Sequence, residues 1–274
     1  MSNPILPAEL LDHIVNHLDT IRALRNCCLV SKSWIPRTRK HLFTKINFDV
    51  EQKLHSWKQT FPDPSTSPAC YAKTLSIDCL RAVTAADAEV GGWIRSFSRV
   101  VHLEMDSNSE AVIESMISFV PFHGFSPFIK SLRIDSALLP SSRVFNLILS
   151  FPLLEDLSLT AYGASTGDAD SPDGLPTISH LSAPPMFTGF LRLFMSRGMT
   201  VITHRLLSLP AGIHFREVTS TWFDDEDPLL TMAVVEKCSR TIETLDITCY
   251  LCMSISHRQW HQFLAFFSSQ VSRN

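Results

Sequence analysis

Glycine is scarce in this 274-residue chain, nine residues against sixteen prolines. Neither G-x-x-x-x-G-K-[ST] nor G-x-G-x-x-G occurs, so the usual glycine-rich cradles for nucleotide phosphates are missing. No N-x-[ST] glycosylation acceptor is present. Cysteine is sparse and odd in number, seven residues in a long chain. That fits reduced thiols in the cytoplasm or nucleus better than a disulfide framework. Long apolar runs are lacking too. The longest uncharged stretches, 115–129 and 174–191, are broken by Pro and Gly and contain Ser, Thr or His, so no membrane span is expected. The first nine residues have neither a basic segment nor an unbroken apolar one, which argues against a signal peptide. Finally, one sign of charge does not dominate. With 24 Lys and Arg against 27 Asp and Glu, the net charge is −3, which gives no basis for wholesale nucleic-acid binding.

What is present is a large apolar fraction, 45%, with 19% charged residues. That is ample for a core and excludes global disorder. The length allows one or two domains. In the first fifty residues, Pro7 can open a helix, after which Leu10, Leu11, Ile14, Val15 and Leu18 make one apolar stripe. Asp19 or Thr20 caps a second helix carrying Ile21, Leu24, Cys27 and Cys28. A third segment runs from Ser31 to about Phe43, with Trp34 inward, Pro36 in its first turns, and Lys32, Arg37, Arg39, Lys40 and Lys45 on a basic side. Three short helices make a poor core by themselves. The first is apolar over more than one face, so a partner or the rest of the chain should cover it. The basic side reads as a solvated helix face rather than a nucleic-acid surface, because aromatic interleaving is sparse.

The run Leu6-Pro7-Ala8-Glu9-Leu10-Leu11-Asp12-His13-Ile14-Val15-Asn16-His17-Leu18, then Leu24, then Leu29-Val30-Ser31-Lys32-Ser33-Trp34, resembles the F-box. That resemblance implies docking onto the Skp adaptor of a cullin–RING ubiquitin ligase. It assigns adaptor contact to Leu6, Pro7, Glu9, Leu10, Ile14, Leu18, Leu24 and Val30, with Trp34 as an internal packing residue. Pro36 departs from the pattern, standing where many F-boxes carry a helix former.

Residues 49–61 read as a helix with Trp57 and Phe61, and 62–68 as a loop. Beyond it a six-residue pattern, apolar-x-x-Leu-x-apolar, recurs at 72–77, 100–105, 129–134, 154–159, 215–220 and 242–247, with a weaker copy at 188–193. The central residues step by 28, 29, 25, 34, 27 and 27, mostly within or near the 20–29-residue period of leucine-rich repeats. The longest step holds Ile178-Ser-His-Leu181, a half-formed extra strand. Helical patterns fall between copies, at about 85–97, 109–119, 141–150, 199–209 and 228–239, and Asp224-Asp-Glu-Asp227 reads as a helix-start signal for the last. This half resembles the degenerate leucine-rich repeats that follow an F-box in many fungal proteins. The expected fold class is α/β: a three-helix F-box at 1–48, a linker helix and loop at 49–70, and at 71–274 a solenoid with a parallel sheet and outer helices. The usual Asn five residues after the central Leu is present only as Asn108; the other positions hold Leu80, Ala137, Tyr162, Ser196, Phe223 and Tyr250. A less regular sheet is therefore expected.

Alternation puts Ser76 and Asp78, Glu104 and Asp106, Arg133 and Asp135, and their equivalents in later repeats, on the inner face. Asp78, Asp106 and Asp135 then form a column of like charge that would favour a basic ligand. The client-binding candidates are Asp78, Glu104, Asp106, Arg133 and Asp135. The alternative is that each Asp caps the loop after its strand. Two chemical constellations are weak. Gly163-Ala-Ser165-Thr-Gly167 matches G-x-S-x-G, but loop residues follow where the hydrolase elbow needs a helix, and only His180 lies near downstream. Cys249, Cys252, His257 and His261 are zinc-ligand types at a spacing belonging to no standard site. The resemblance thus implies a non-enzymatic substrate adaptor that needs no cofactor, metal, nucleic acid or membrane. It would link an unknown client to a Skp-type adaptor and a cullin. An alternative is a scaffold that sequesters a partner without ubiquitin transfer.

Overall fold

Every copy of the six-residue pattern carries a β-strand in the computed structural model, which describes residues 7–18, 20–48, 51–78, 96–107, 127–139, 141–164, 185, 187–195, 197–223, 228–250 and 265. In chain order the elements are α1 (Ala8–Asn16), α2 (Ile21–Val30), α3 (Ile35–Leu42), β1 (Lys45–Phe48), α4 (Glu51–Thr60), two 3-10 turns (Pro64–Thr66 and Pro68–Tyr71), β2 (Thr74–Asp78) and β3 (His102–Ser107). There follow β4 (Ser131–Leu139), α5 (Ser141–Leu149), β5 (Asp156–Ala164), β6 (Phe190–Met195), α6 (Arg197–Leu207), β7 (Glu217–Phe223), α7 (Pro228–Cys238) and β8 (Thr244–Tyr250). The fold is α/β, with one eight-stranded sheet whose strands are all parallel and pair in sequence order, β1 to β8.

The register aligns the central residues: Ile46, Leu75, Leu103, Leu132, Leu157, Leu191, Val218 and Leu245 lie opposite one another in turn. All but Leu245 are buried. The residue two further on follows suit, from Phe48 through Ile77, Met105, Ile134, Leu159 and Leu193. A period of two therefore sends both apolar side chains of each strand to one face. There α6 lies against β4, β5 and β6, with α5 and α7 on either side of it, and α4 packs on β1. At β7 the inward position is Ser220, whose hydroxyl pairs with that of Thr231 on α7 at 3.0 Å, so a buried polar side chain is matched rather than orphaned.

Two features of the sheet lie outside the sequence expectation. The first is β1: residues 45–48 form the leading strand, so the sheet begins one repeat before the first recognised copy. Phe43-x-x-Ile46-x-Phe48 fits the same template 29 residues before Leu75. The second is where irregularity resides. Register is continuous, but strand length varies from four residues in β1 to nine in β4 and β5. Ala137, Tyr162, Phe223 and Tyr250, which stand in the usual Asn position, all lie within extended strands. Without the Asn the chain continues in the sheet instead of turning. Asn108 and the helical pattern at 109–119 lie outside the described residues, as do Asp224–Asp227 and Ile178–Leu181. Of 85–97 only the last two residues are described.

The strands also start alike. At most junctions one carbonyl accepts two successive N–H groups of the next strand: Thr44 from Lys73 and Thr74, Lys73 from Val101 and His102, Val101 from Lys130 and Ser131. The rule bends after the 34-residue step. Gly189 N–H donates to the Glu155 carbonyl at 3.1 Å, but Phe190 N–H donates to the Asp156 carboxylate, Oδ1, at 3.0 Å. A Cβ on Gly189 would stand 1.8 Å from that oxygen. Buried Phe187 supplies the apolar anchor that Thr188 cannot. Gly189→Ala is therefore expected to push the carboxylate off this partly buried Phe190 N–H and cost about 0.5–1.5 kcal/mol, the net worth of a typical intramolecular hydrogen bond. Urea unfolding checks this, and an unchanged midpoint would contradict it.

The helical unit has its own small interior. Thr20 caps α2, its Oγ1 accepting from Ala23 N–H at 3.2 Å. Pro36 sits in the first turn of α3, where a missing N–H costs little. Leu11, Val15, Leu24 and Thr38 are buried there. Thr38 Oγ1 donates to the Trp34 carbonyl at 2.8 Å and also meets Cys28 Sγ, tying α3 to α2. Trp34 is half-buried. A 2.6 Å ion pair, Arg37 to Asp12, joins α3 to α1, and α3 rests on the Pro68–Tyr71 turn.

Candidate functional site

Two surfaces carry the residues singled out by sequence. The first is the outside of α1 and α2. An apolar stripe five residues wide is more than a short helix needs, so the unit buries only part of it. Leu11 and Val15 point inward while Leu10 is 49% and Ile14 39% exposed. On α2, Leu24 takes the interior and leaves Ile21, Leu29 and Val30 at 62, 85 and 68%. Five of the eight large, exposed apolar side chains among the described residues thus fall between residues 10 and 30. Soluble proteins seldom leave such side chains concentrated in one region unless it meets a partner.

Of the eight residues assigned to adaptor contact by resemblance, Pro7, Glu9, Leu10, Ile14 and Val30 are exposed and Leu18 is half-buried. Leu24 is 6% exposed and packs within the unit, so it offers almost no outer surface. Leu6 lies outside the described residues. Ile21 and Leu29, which the sequence places on or beside the second helix, are not among the residues assigned to adaptor contact. For Leu29 the signal is helix phase: it lies five residues from inward-facing Leu24, well off its side of the helix.

The second surface is the sheet face opposite the helices. The register places Asp78, Asp106 and Asp135 side by side, then Thr160, Phe194, Thr221 and Thr248. Ser76, Glu104, Arg133 and Ser158 form the adjoining row. Neighbouring strands are about 4.8 Å apart, so three carboxylates share one short column. Arg133 Nη2 reaches Asp135 Oδ2 at 3.5 Å. Asp78 and Asp106 have no such cation among the described residues. Partial burial pushes the Asp106 carboxyl above its ordinary value, repulsion from Asp135 and Asp78 adds to this, and Arg133 opposes it.

A raised carboxyl binds its proton more tightly folded than unfolded. The folded state therefore loses stability as pH rises through the carboxylate range, and the penalty is complete at neutral pH. Asp106→Asn removes it. The substitution is expected to stabilise the protein at pH 7 by a few tenths of a kcal/mol, small because the group is mostly in water, and to have no such benefit near pH 3. Thermal unfolding at both pH values checks the sign, and a stabilisation equal at the two would contradict the charge origin.

The chemical constellations resolve less. Ser165 and His180 lie outside the described residues, as do Cys252, His257 and His261, while Cys249 is in β8. Among the described residues no group of three His, Cys, Asp or Glu is placed to hold a metal ion, and no helix is long and apolar enough to cross a membrane. Cys238, the buried last residue of α7 with its thiol toward the Ile213 carbonyl, has that thiol pushed up to about 11 by desolvation, which makes it a packing residue and not a nucleophile. No model of a known protein family matches the chain, and neither does any curated protein.

Proposed function

We propose that this protein is a substrate adaptor: α1 and α2 dock as an F-box on a Skp-type adaptor within a cullin–RING ubiquitin ligase, and the strand array holds a client. The observation that carries this reading is the exposure of Leu10, Ile14, Ile21, Leu29 and Val30, all within residues 10–30, on a unit whose buried interior is little more than Leu11, Val15, Leu24 and Thr38. The in-phase strands, each following its neighbour in sequence, support a leucine-rich-repeat-like solenoid from the 71–274 region, with β1 as an added leading strand. In such an array each repeat covers the next one's apolar face. The acidic column Asp78, Asp106 and Asp135, with Glu104 and Arg133 beside it, is the proposed client surface. Its charge favours a Lys- or Arg-containing segment.

No side chain of this chain then reacts. Ubiquitin transfer would be accelerated by proximity, the client being held near the charged conjugating enzyme at high effective concentration. Mixing the full chain with a purified Skp-type adaptor and cullin tests the first half; a stoichiometric complex on size exclusion is expected, and separate elution would refute it. Reversing all three column aspartates to Lys tests the second half. Capture of basic client segments should fall steeply while adaptor binding stays intact, and unchanged capture would remove that face from the proposal. Ubiquitination of a captured client in the reconstituted system distinguishes this adaptor from a scaffold that only sequesters.

A further inference from the structure

Two residues of the basic run between Lys32 and Lys45, Arg37 and Lys40, line a cavity. This cavity, of about 530 Å3, opens between α1, α3 and the Pro68–Tyr71 turn, lined by Asp12, Asn16, Arg37, Lys40, His41 and Tyr71, with Pro36 on its wall. Helix phase fixes its place. At 100° per residue, Asp12 and Asn16 lie about 200° around α1 from Leu10 and Ile14. The cavity is thus on the far side of α1 from the exposed apolar surface and does not depend on the adaptor reading.

Its charge is unbalanced. Asp12, the one carboxylate among the described residues that line it, is paired with Arg37 Nε at 2.6 Å, and Arg37 Nη1 donates to the Ser33 carbonyl at 3.1 Å. Lys40, His41, Asn16 and Tyr71 have no side-chain hydrogen bond or ion pair among the described residues. An ammonium, an imidazole, an amide and a phenol therefore line one space with donors unspent. A carboxylate ligand would offer two oxygens and one charge to this set. A phosphate monoester offers three oxygens and nearly two charges, and ammonium and hydroxyl donors suit it. The volume lies in the range of small-molecule sites and leaves room for the esterified group, for which Pro36 and the Tyr71 ring supply apolar wall.

We propose that this cavity binds a phosphate monoester, with Lys40 supplying the charge and Asn16, His41 and Tyr71 orienting the phosphoryl oxygens. The ester arrives either as a free small molecule or on a phosphorylated side chain of a partner. Calorimetric titration of the full chain with inorganic phosphate, phenyl phosphate and a short phosphoserine peptide tests the site and separates these sources. Phenyl phosphate binding most tightly points to a small ester, and the phosphopeptide binding most tightly to a modified partner; either supports the site. Lys40→Glu is expected to weaken binding by roughly tenfold or more, as loss of a charge-assisted contact does. Lys45→Glu, at an exposed lysine on β1 outside the cavity, should leave it nearly unchanged. Tyr71→Phe, which keeps the ring and removes only the hydroxyl, should weaken it severalfold and serves if Lys40→Glu disturbs the fold. Absence of binding by all three probes, equal loss in Lys40→Glu and Lys45→Glu, or equal binding of the unphosphorylated peptide would overturn the proposal.

Discussion

Leu157→Ala is expected to destabilise the protein by about 2–5 kcal/mol, the range for truncating a fully buried leucine. Leu157 lies between Leu132 and Leu191 in the register, with α6 packed over its strand, and has no exposed surface. Its removal leaves a void between three successive strands, none of which can move inward without breaking a ladder to its other neighbour. Leu245, the equivalent residue in β8, is only partly buried. Leu245→Ala should therefore cost distinctly less, because less apolar area returns to water. Urea unfolding of both variants measures the difference. Equal costs would show that the strands do not share one graded core.

The second large effect concerns binding. Ile14→Asp combined with Leu29→Asp should reduce affinity for a Skp-type adaptor by about a hundredfold or more, as loss of central apolar anchors does. Stability should fall far less than for an interior site, because Leu29 is 85% and Ile14 39% exposed. Val15→Asp provides the contrast. That residue has no exposed surface, so a charge there should unfold the helical unit, with loss of helix signal as well as binding. A double variant that keeps full affinity would take α1 and α2 out of the interface. One that loses binding together with fold would show the two side chains to be structural.

Much of the array was legible because its signal repeats. The inward pair of each strand, such as Leu132 and Ile134, recurs at the same spacing, and burying that pair fixes the register of all neighbours at once. Alternation then places Asp78, Asp106 and Asp135 in one row with no further information. The leading strand was hidden for the opposite reason. Lys45-Ile46-Asn47-Phe48 is only four residues long and follows a run of basic residues that reads as helix surface. The Asp156–Gly189–Phe190 arrangement could not be read either, since it depends on a carboxylate replacing a carbonyl across a 34-residue separation.

In the helical unit, periodicity gave the stripe but not its division. Leu10, Leu11, Ile14 and Val15 are alike in composition, and only the placement of α3 decides that Leu11 and Val15 turn inward. The same placement swung Leu24 inside and left Ile21 and Leu29 outside. The cavity beside Lys40 was beyond sequence reasoning altogether, because Tyr71 reaches it from a turn 29 residues after the end of α3.

Hydrogen exchange of the full chain, alone and with a purified Skp-type adaptor, tests the central claim most directly. The expected result is added protection concentrated in α1 and α2, over the segments that carry Leu10, Ile14, Ile21, Leu29 and Val30, with β2 to β8 unchanged. Protection confined to the strands, or none anywhere at saturating adaptor, would contradict it.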